Sequence, residues 1–406
     1  MRTGFKRFLS SFIVVVMIMA LLPAISFAAD EDTPYTSFTY TLNSSARTIQ
    51  LGKYTGTATT VVVPGSYVIN GVTYTTVLDA PTTFNSNKSI VSVTLKKGIK
   101  FLNNIMAGLF FNCSALKTIN MTEVDTTGVI DMMSAFAGCT VLTQLDVSNF
   151  NTSSVNTFYN MFSGAGSLKL IGYENWNTSN LQQMSFMFNG ALTSSQVLDL
   201  RKWNLSKVTN TFAAFQNCRV KDLLLPSNLT TIGSFCINHL AAYSKNYFTI
   251  PKGVKEIGYA HVMYDFGVSS GTNAFKEFRV EEGNTHFKAV DGVLYSMDGT
   301  KFIAMPRGKT HTNNTYEMLE GVTFMPELSF SATPYIKTLI LPDSYIIRQS
   351  VPRNDAEYRL ASQTAAQESN LNDGNSLSIA IYNQTSIENY EIKETNKRYK
   401  SWKQGF

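Results

Sequence analysis

Three acidic residues lie at related points of a repeating segment and are the side chains best placed for chemistry. Asp146 and Asp199 occupy matching positions two repeats apart, and Glu174 lies in the repeat between them. If the repeats stack as strands, Asp146 and Asp199 lie roughly 10 Å apart, a separation that overlaps that of the paired carboxylates that cleave glycosidic bonds. The sequence indicates no closed pocket and nothing that would raise a carboxyl pKa. We therefore expect solvated acids and no catalytic residues, with polysaccharide cleavage as the alternative.

The outward positions of the same predicted strands form the expected ligand-contact face. Their side chains are polar, stacking brings them side by side, and they stand outside the apolar pattern that predicts the core. We predict that this contact face comprises six residues: Gln144, Asp146, Ser148, Glu174, Asp199 and Arg201.

An aromatic column follows these strands and consists of Phe150, Trp176 and Trp203. The same position holds Val124 in the first repeat, which favours a column of apolar residues inside the core. The alternative is a partly exposed ladder on which a sugar chain or a peptide stacks, since aromatic rings offer flat apolar faces. We expect the column to lie in the core.

Cysteine and histidine positions give no sign of a metal or cofactor site. Cys113 and Cys139 occupy equivalent positions in neighbouring repeats, so their Cα atoms can lie about 5 Å apart, within disulfide range. Alanine fills this position in the next two repeats, which favours buried free thiols. Cys218 and Cys236 are 18 residues apart and are expected to be unpaired. The four histidines are each at least 22 residues from the next, and none accompanies a nucleophile motif, so we predict no metal and no cofactor.

A repeat of 26 residues sets all these positions. Phenylalanines recur at steps of 26, 26, 26 and 27 residues: Phe110, Phe136, Phe162, Phe188 and Phe215. A fixed period of this size is typical of a solenoid, in which each coil buries its core against its neighbours. Glycine or asparagine follows two residues after each phenylalanine. Both residue types accept positive φ, so each coil is predicted to turn a left-handed corner there.

Each coil is predicted to contain one short strand and one short helix. After the corner, apolar residues alternate, which indicates strands that stack into a parallel sheet; in the third coil this pattern assigns Ile171 and Tyr173 to the inner face. Before each phenylalanine the spacing becomes i, i+3, i+7, as in Val129, Met132 and Phe136. This spacing indicates a helix of about two turns. Its predicted N-caps are Thr127, Ser153, Ser179 and Ser206.

The coil sequence NWNTSNLQQMSFMF resembles the repeats of BspA-like leucine-rich-repeat surface proteins. The second kind of repeat in that family, a strand closed by proline, is similar to LLLPSNLTTIG (223–233), FTIPKGVKEIG (248–258) and LILPDSYII (339–347). The stretch VEEGNTHFKAVDGVLYSMDGTKFIAMPRG is also typical of the family, and its Asp298-Gly299 indicates the primed turn of a hairpin. The resemblance covers roughly 55–350 and is most specific over 106–217.

We therefore predict an α/β repeat solenoid, a right-handed leucine-rich-repeat stack of strand-plus-short-helix coils with terminal caps. The C-terminal cap is expected to be a strand followed by a helix that ends near Trp402 and Phe406. The predicted segments are a signal peptide (1–28), an N-terminal β-rich cap with the first irregular coils (29–104), regular 26-residue repeats (105–235), a second repeat series with a hairpin (236–349), a polar loop or insert (350–376) and a C-terminal capping coil (377–406).

Residues 1–28 have the pattern of a secretory signal peptide, with a basic start, an apolar middle and a cleavage site at Ser26-Phe27-Ala28. A membrane anchor is the alternative. Removal of Arg2, Lys6 and Arg7 lowers the formal net charge from +5 to +2, which leaves little to attract nucleic acid. The C-terminal sequence has no sorting signal, and no cysteine near the cleavage site could carry a lipid. We expect a protein that is secreted or held at the cell surface without a covalent bond, with no transmembrane segment after cleavage.

The family resemblance implies non-catalytic adhesion or recognition outside a bacterial cell. The expected partner is an extracellular protein of a host, a matrix or a neighbouring cell, with a glycan as the alternative; fold by itself does not establish this function. Self-association into a surface layer is a further alternative. Because terminal caps oppose end-to-end stacking, we expect a monomer.

Overall fold

The chain forms a β-solenoid of about ten turns with little helix. The structure is a computed structural model that describes residues 31–238, 240, 243–258, 275–325, 335–342, 389–394 and 397–403, the last two segments as backbone only. The solenoid prediction is confirmed. The predicted signal peptide and the predicted polar insert lie outside the described residues.

The first coils build one sheet of their own and begin a second. A sheet of order β1-β2-β5-β4, with β7 beside β5, covers the N-terminal end, while β3 and β6 pair in parallel and start the solenoid sheet. One helical turn, α1, and 3-10 turns at 35–37 and 102–104 connect them. The elements are β1 (Phe38–Asn43), β2 (Thr48–Tyr54), β3 (Thr60–Val63), β4 (Ser66–Ile69), β5 (Val72–Leu78), α1 (Ala80–Thr83), β6 (Ser92–Leu95) and β7 (Lys100–Phe101).

The regular repeats add one three-residue strand per coil. Their strands are β8 (Thr118–Asn120), β9 (Gln144–Asp146), β10 (Lys169–Ile171), β11 (Val197–Asp199) and β12 (Asp222–Leu224). The solenoid sheet has the order β10-β9-β8-β6-β3 and is parallel throughout, whereas β11 and β12 form a separate parallel pair. The sheet is therefore interrupted between the third and fourth regular coils.

The remaining described strands form several small sheets. The pairs β13–β15 and β14–β16 are parallel, and the sheet β17-β18-β19 is antiparallel. The last described sheet has the strand order β20-β21-β22-β23. The bounds are β13 (Thr231–Ile232), β14 (Tyr247–Ile250), β15 (Glu256–Ile257), β16 (Glu277–Val280), β17 (Phe287–Val290), β18 (Val293–Ser296), β19 (Phe302–Ala304), β20 (Thr315–Glu317), β21 (Thr338–Pro342), β22 (Asn389–Glu394) and β23 (Lys397–Lys403).

Two local predictions for these strands are corrected. The predicted C-terminal helix is wrong, because 397–403 is a strand that pairs antiparallel with β22. The hairpin joining β18 to β19 is confirmed, but its turn is not of the primed type. Gly299 N–H donates to Ser296 O at 2.9 Å and Gly299 alone takes a positive φ, of 78°, so the loop is a type I turn followed by a left-handed glycine.

The predicted short helix is not confirmed; turns take its place. In each coil a residue two positions before the phenylalanine has positive φ, for example Ser134 (54°) and Asn160 (57°), which a helix does not tolerate. Every second backbone N–H then donates to a carbonyl of the next coil, as Phe136 N–H does to Met161 O (3.0 Å). The N–H groups between them donate to the carbonyl three residues earlier in the same coil. The hydroxyls predicted as N-caps instead stabilise an Asx turn, as in Ser153 Oγ–H to Asn151 Oδ1 (2.7 Å).

Stacked aromatic rings fill the core along the solenoid axis. The rings of Phe110, Phe136, Phe162 and Phe188 lie nearly parallel, with centroids 5.8, 5.6 and 5.6 Å apart, and all four are fully buried. The column Phe150, Trp176 and Trp203 is also buried, which confirms the core interpretation over the exposed ladder. Both indoles donate to backbone oxygens, so the burial leaves no polar atom of the rings unpaired.

Side chains seal the interruption between β10 and β11. Here the inner position is Leu170, so the prediction that Ile171 is the inward strand residue is wrong, and Tyr173 has left the strand for a 3-10 turn. The Tyr173 hydroxyl donates to Val197 O and accepts from Asp199 N–H, each at 3.1 Å. The Gln196 amide pairs with both backbone groups of Leu170 at 2.9 and 3.1 Å. These side chains supply hydrogen bonds that the strands do not make directly.

The phenylalanine stack predicts a graded response to truncation. Phe162→Ala removes a fully buried ring that stacks on two neighbours, and we expect it to lower the free energy of unfolding by about 3–5 kcal/mol. Phe212→Ala is the matched control, because Phe212 is 36% exposed, and the loss should be less than half as large. Urea unfolding monitored by circular dichroism checks the difference; equal losses would contradict the proposed core.

Candidate functional site

Part of the predicted contact face lies on β9. Gln144 is exposed and Asp146 is partly exposed. Asp146 Oδ1 accepts hydrogen bonds from the backbone N–H and the hydroxyl of Ser148 at 2.9 and 2.6 Å. The carboxylate thus stabilises the turn after its own strand, and Asp146 and Ser148 form one local unit.

Asp199 and Arg201 form a second unit, on and after β11. Arg201 Nε and Nη2 donate to the two carboxylate oxygens of Asp199 at 2.9 and 2.6 Å, in bidentate geometry. These hydrogen bonds lower the pKa of Asp199 below its ordinary value. The carboxylate is therefore held ionised beside an exposed guanidinium, an arrangement suited to binding rather than to proton transfer.

Glu174 does not lie on a strand, contrary to the prediction. It belongs to the 3-10 turn Tyr173–Asn175, which follows β10. Because the sheet is interrupted after this coil, Asp146 and Asp199 stand on separate sheets, with the sealed interruption between them. The structure therefore brings Gln144, Asp146 and Ser148 together, and Asp199 with Arg201, but it does not align the six residues in one column.

A surface depression that the sequence did not predict, the strand groove, lies between the coils of β12 and β14. It has a volume of about 520 Å³ and opens on the strand face. Leu223, Leu224 and Leu225 line one side, Tyr247 and Thr249 the other, and Arg201 stands at its rim. Arg201 is thus the one predicted contact residue that also lines this groove.

The strand groove forms because two adjacent coils have different numbers of residues between the same two inter-coil hydrogen bonds. The two coils are joined by Ser244 N–H to Lys221 O (3.0 Å) and again by Gly253 N–H to Ser227 O (2.9 Å). Five residues (222–226) connect these points in one coil and eight (245–252) in the next. The longer segment bows away, so β12 and β14 make no backbone hydrogen bonds with each other.

Charged side chains cross the strand groove and border it. Lys245 Nζ reaches Asp222 Oδ2 at 2.6 Å and links the two coils. The guanidinium of Arg279 lies 3.7 Å from the ring centre of Tyr247, which fixes the half-buried ring at the groove wall through a cation–π contact. Basic, acidic and aromatic groups therefore surround an apolar lining.

Glu281 closes the far end of the strand groove. Its carboxylate accepts the Ser227 hydroxyl at 2.6 Å and the Lys252 backbone N–H at 2.8 Å. Burial acts to raise the pKa of Glu281, but these hydrogen bonds and the charge of Lys252 outweigh it, and the pKa lies below its ordinary value. The Glu281 charge is thus engaged within the protein, whereas the Lys252 side chain is exposed.

A second feature missed from the sequence is an aromatic zigzag on the face opposite the strands. Tyr159, Phe186, Phe212 and Phe235 meet edge to face, with ring centres 5.9, 5.2 and 5.6 Å apart. Phe186 and Phe235 have positive φ (58° and 57°), where other coils carry serine, asparagine or alanine. The rings of the first three coils lie two or three residues before the core phenylalanines Phe162, Phe188 and Phe215, so a search at one fixed spacing would not have found them.

No further chemistry is apparent among the described residues. They contain no group of three or more His, Cys, Asp or Glu side chains arranged to hold a metal ion. In the same part of the chain, no helix has the length and apolar character needed to cross a membrane.

The four cysteines are free and buried, as predicted for the thiols. Cys113 and Cys139 donate to the Phe84 and Phe110 carbonyls at 3.0 and 3.2 Å. Burial raises the pKa of Cys113 to about 11 and that of Cys236 to about 12. The thiols are therefore held in their unreactive protonated form at neutral pH.

Two family models match the chain. Residues 104–225 match "Mycoplasma protein of unknown function, DUF285", and residues 208–265 match "BspA type Leucine rich repeat region". Residues 208–265 are therefore similar to BspA-type leucine-rich repeats, and the resemblance to that family is confirmed.

Solved structures of bacterial leucine-rich-repeat proteins are also similar. A leucine rich cell surface protein of Faecalibacterium prausnitzii is 18% identical, with 78% of this chain and 72% of that chain covered and a TM-score of 0.41. A leucine-rich repeat protein of Bacteroides ovatus is 15% identical over 78% and 82% of the two chains, with a TM-score of 0.36. The pneumococcal vaccine antigen PcpA is 18% identical over 77% and 64%, with a TM-score of 0.33. No curated protein matches the chain.

Thiol reactivity tests the buried positions. At pH 8 we expect none of the four cysteines to react with Ellman's reagent in the folded protein, and all four to react in guanidinium chloride without reductant. Since folding raises the thiol pKa, this contribution to stability is present below the unfolded value of about 8.5 and is lost as the pH rises towards 11. Rapid reaction in the folded state, or fewer than four thiols after unfolding, would contradict the structure.

Proposed function

We propose that this protein binds an extracellular protein at or outside the bacterial cell surface, without catalysis, through the strand groove and its rim. The BspA-type repeats support a surface-binding role. The observation that carries the proposal is the strand groove itself. It is a concave opening in the strand face, with apolar, aromatic and charged groups together.

The composition of the strand groove favours protein recognition. Leucine and tyrosine side chains provide area that a partner can bury, and tyrosine and arginine are enriched where binding energy concentrates. Arg201 is presented at the rim by its bidentate contact with Asp199, so little freedom is lost when a partner engages it.

Charge reversal at the rim tests this function. Residues 29–406 are immobilised and exposed to extracellular-matrix proteins, host-surface extracts and cell-wall glycans, and the affinity of each retained component is measured. Arg201→Glu should weaken protein binding by roughly tenfold or more, because a rim charge becomes repulsive. Lys169→Glu, an exposed change on β10 across the sealed interruption, should leave it within about twofold.

The proposal fails if only glycans are retained, or if proteins are retained equally by both variants. Retention of a glycan with release of shorter fragments would point to polysaccharide cleavage and to the carboxylates Asp146, Glu174 and Asp199.

A further inference from the structure

The strand groove exposes the edge of β12. The Leu224 carbonyl accepts a hydrogen bond from Leu200 N–H of the preceding coil at 2.8 Å. Because consecutive residues of a strand direct their backbone groups to opposite edges, the N–H and C=O groups of Leu223 and Leu225 point into the groove. In the described part of the chain, β12 pairs with β11 alone.

The opposite wall exposes the edge of β14. The carbonyls of Asn246 and Ile250 bond to the following coil at 2.6 and 2.9 Å, so the residues between them, Tyr247 and Thr249, face the groove. The Tyr247 carbonyl accepts the Tyr243 hydroxyl at 3.0 Å. The Tyr247 N–H and both backbone groups of Thr249 remain directed at the groove, since β14 pairs only with β16 among the described strands.

A buried acceptor lies beside these strand edges. Asp222 is 9% exposed, and its Oδ2 is held by Lys245. Its Oδ1 is buried and accepts no hydrogen bond from the described residues. An unpaired buried oxygen of this kind destabilises the wall beside the groove, although Asp222 is not itself one of the lining residues.

The other interruption of the strand face shows what is missing here. Between β10 and β11 the Tyr173 hydroxyl and the Gln196 amide occupy the backbone groups of the facing strands. Side chains of the described residues make no such bonds to Leu223, Leu225 or Thr249. The strand groove thus offers the pattern that an extended polypeptide satisfies, namely main-chain donors and acceptors on both sides with an apolar lining.

Charge determines the side chains that suit such an occupant. Lys252 is exposed at the end of the groove, and its ammonium forms no salt bridge within the described ranges, although its charge also acts on Glu281. Arg201 adds a second exposed cation at the rim. An acidic side chain near the Lys252 end is therefore complementary to the groove.

We infer that the strand groove binds an extended peptide segment of a partner protein, which pairs by backbone hydrogen bonds with the open edges of β12 and β14 and places an acidic side chain at Lys252. This inference rests on the proposed function, and it adds the conformation and charge of the segment that is recognised. Its volume of about 520 Å³ lies within the range of small-molecule pockets, so the groove encloses only part of such a segment.

A peptide library tests the inference. Residues 29–406 are used to select from a phage library of random seven-residue peptides, and the affinities of selected synthetic peptides are measured by fluorescence polarisation. Selected peptides should share an acidic residue. N-methylation of an internal residue, which removes an N–H and keeps every side chain, should weaken binding by roughly tenfold or more.

Two pairs of protein variants locate the contact. Thr249→Pro removes a groove-facing N–H at an open strand edge, where proline is tolerated, and should weaken peptide binding by roughly tenfold or more. Thr249→Ala keeps the N–H and should stay within about twofold. Lys252→Glu should abolish the preference for acidic peptides, while Lys255→Glu, an exposed change outside the groove lining, should not.

The outcomes separate the inference from the proposed function. The inference is overturned if no peptide is selected, or if selected peptides tolerate both N-methylation and Thr249→Pro. Should an extracellular protein still bind and be lost on Arg201→Glu, the proposed function stands and the occupant is a folded surface. The N-methylated peptides need no protein variant, so misfolding of Thr249→Pro cannot mask the result.

Discussion

In-register stacking of backbones is the constraint on which the rest of this structure depends. Each coil repeats the path of the one before, so that alternate N–H groups of one coil meet carbonyls of the next, as Phe136 meets Met161 and Phe162 meets Met187. The same register brings identical side chains together and produces the stacked phenylalanine rings. Hydrogen bonding and core packing therefore favour a single repeat length, and a change in that length disturbs both.

The candidate site arises where this register fails. At the first failure, after β10, a tyrosine and a glutamine take over the backbone hydrogen bonds and keep the strand face closed. At the second, eight residues face five, and the strands separate without such replacements among the described residues. A regular solenoid presents a continuous strand face, so specificity requires a departure from the repeat. The strand groove is that departure, and Arg201 connects it to the polar face predicted from the sequence.

Features that recur in every coil could be predicted from the sequence, whereas most features that interrupt the repeat could not. The phenylalanine spacing predicted the solenoid and the buried Trp176 column, because a position that stays apolar in every coil must face inward. The helix prediction failed because left-handed φ falls on Ser134 and Phe186, residue types that rarely adopt it, as well as on Asn160. The strand groove was missed because the strand sequences LLLP (223–226) and FTIP (248–251) align residue for residue. The extra residues that separate the two strands lie in the polar segment before Tyr247.

Amide hydrogen exchange tests the central claim, that the inter-coil ladder is closed along the regular repeats and open at the strand groove. Peptide-level mass spectrometry of the folded protein compares amides that bond between coils, such as Phe136 and Phe162, with those of Leu225 and Thr249. The account predicts strong protection of the phenylalanine amides. The amides of Leu225 and Thr249 should exchange at least a hundredfold faster, a difference on the order of 3 kcal/mol in the free energy of local opening. Equal protection at both places would show that β12 and β14 pair and would contradict the open groove.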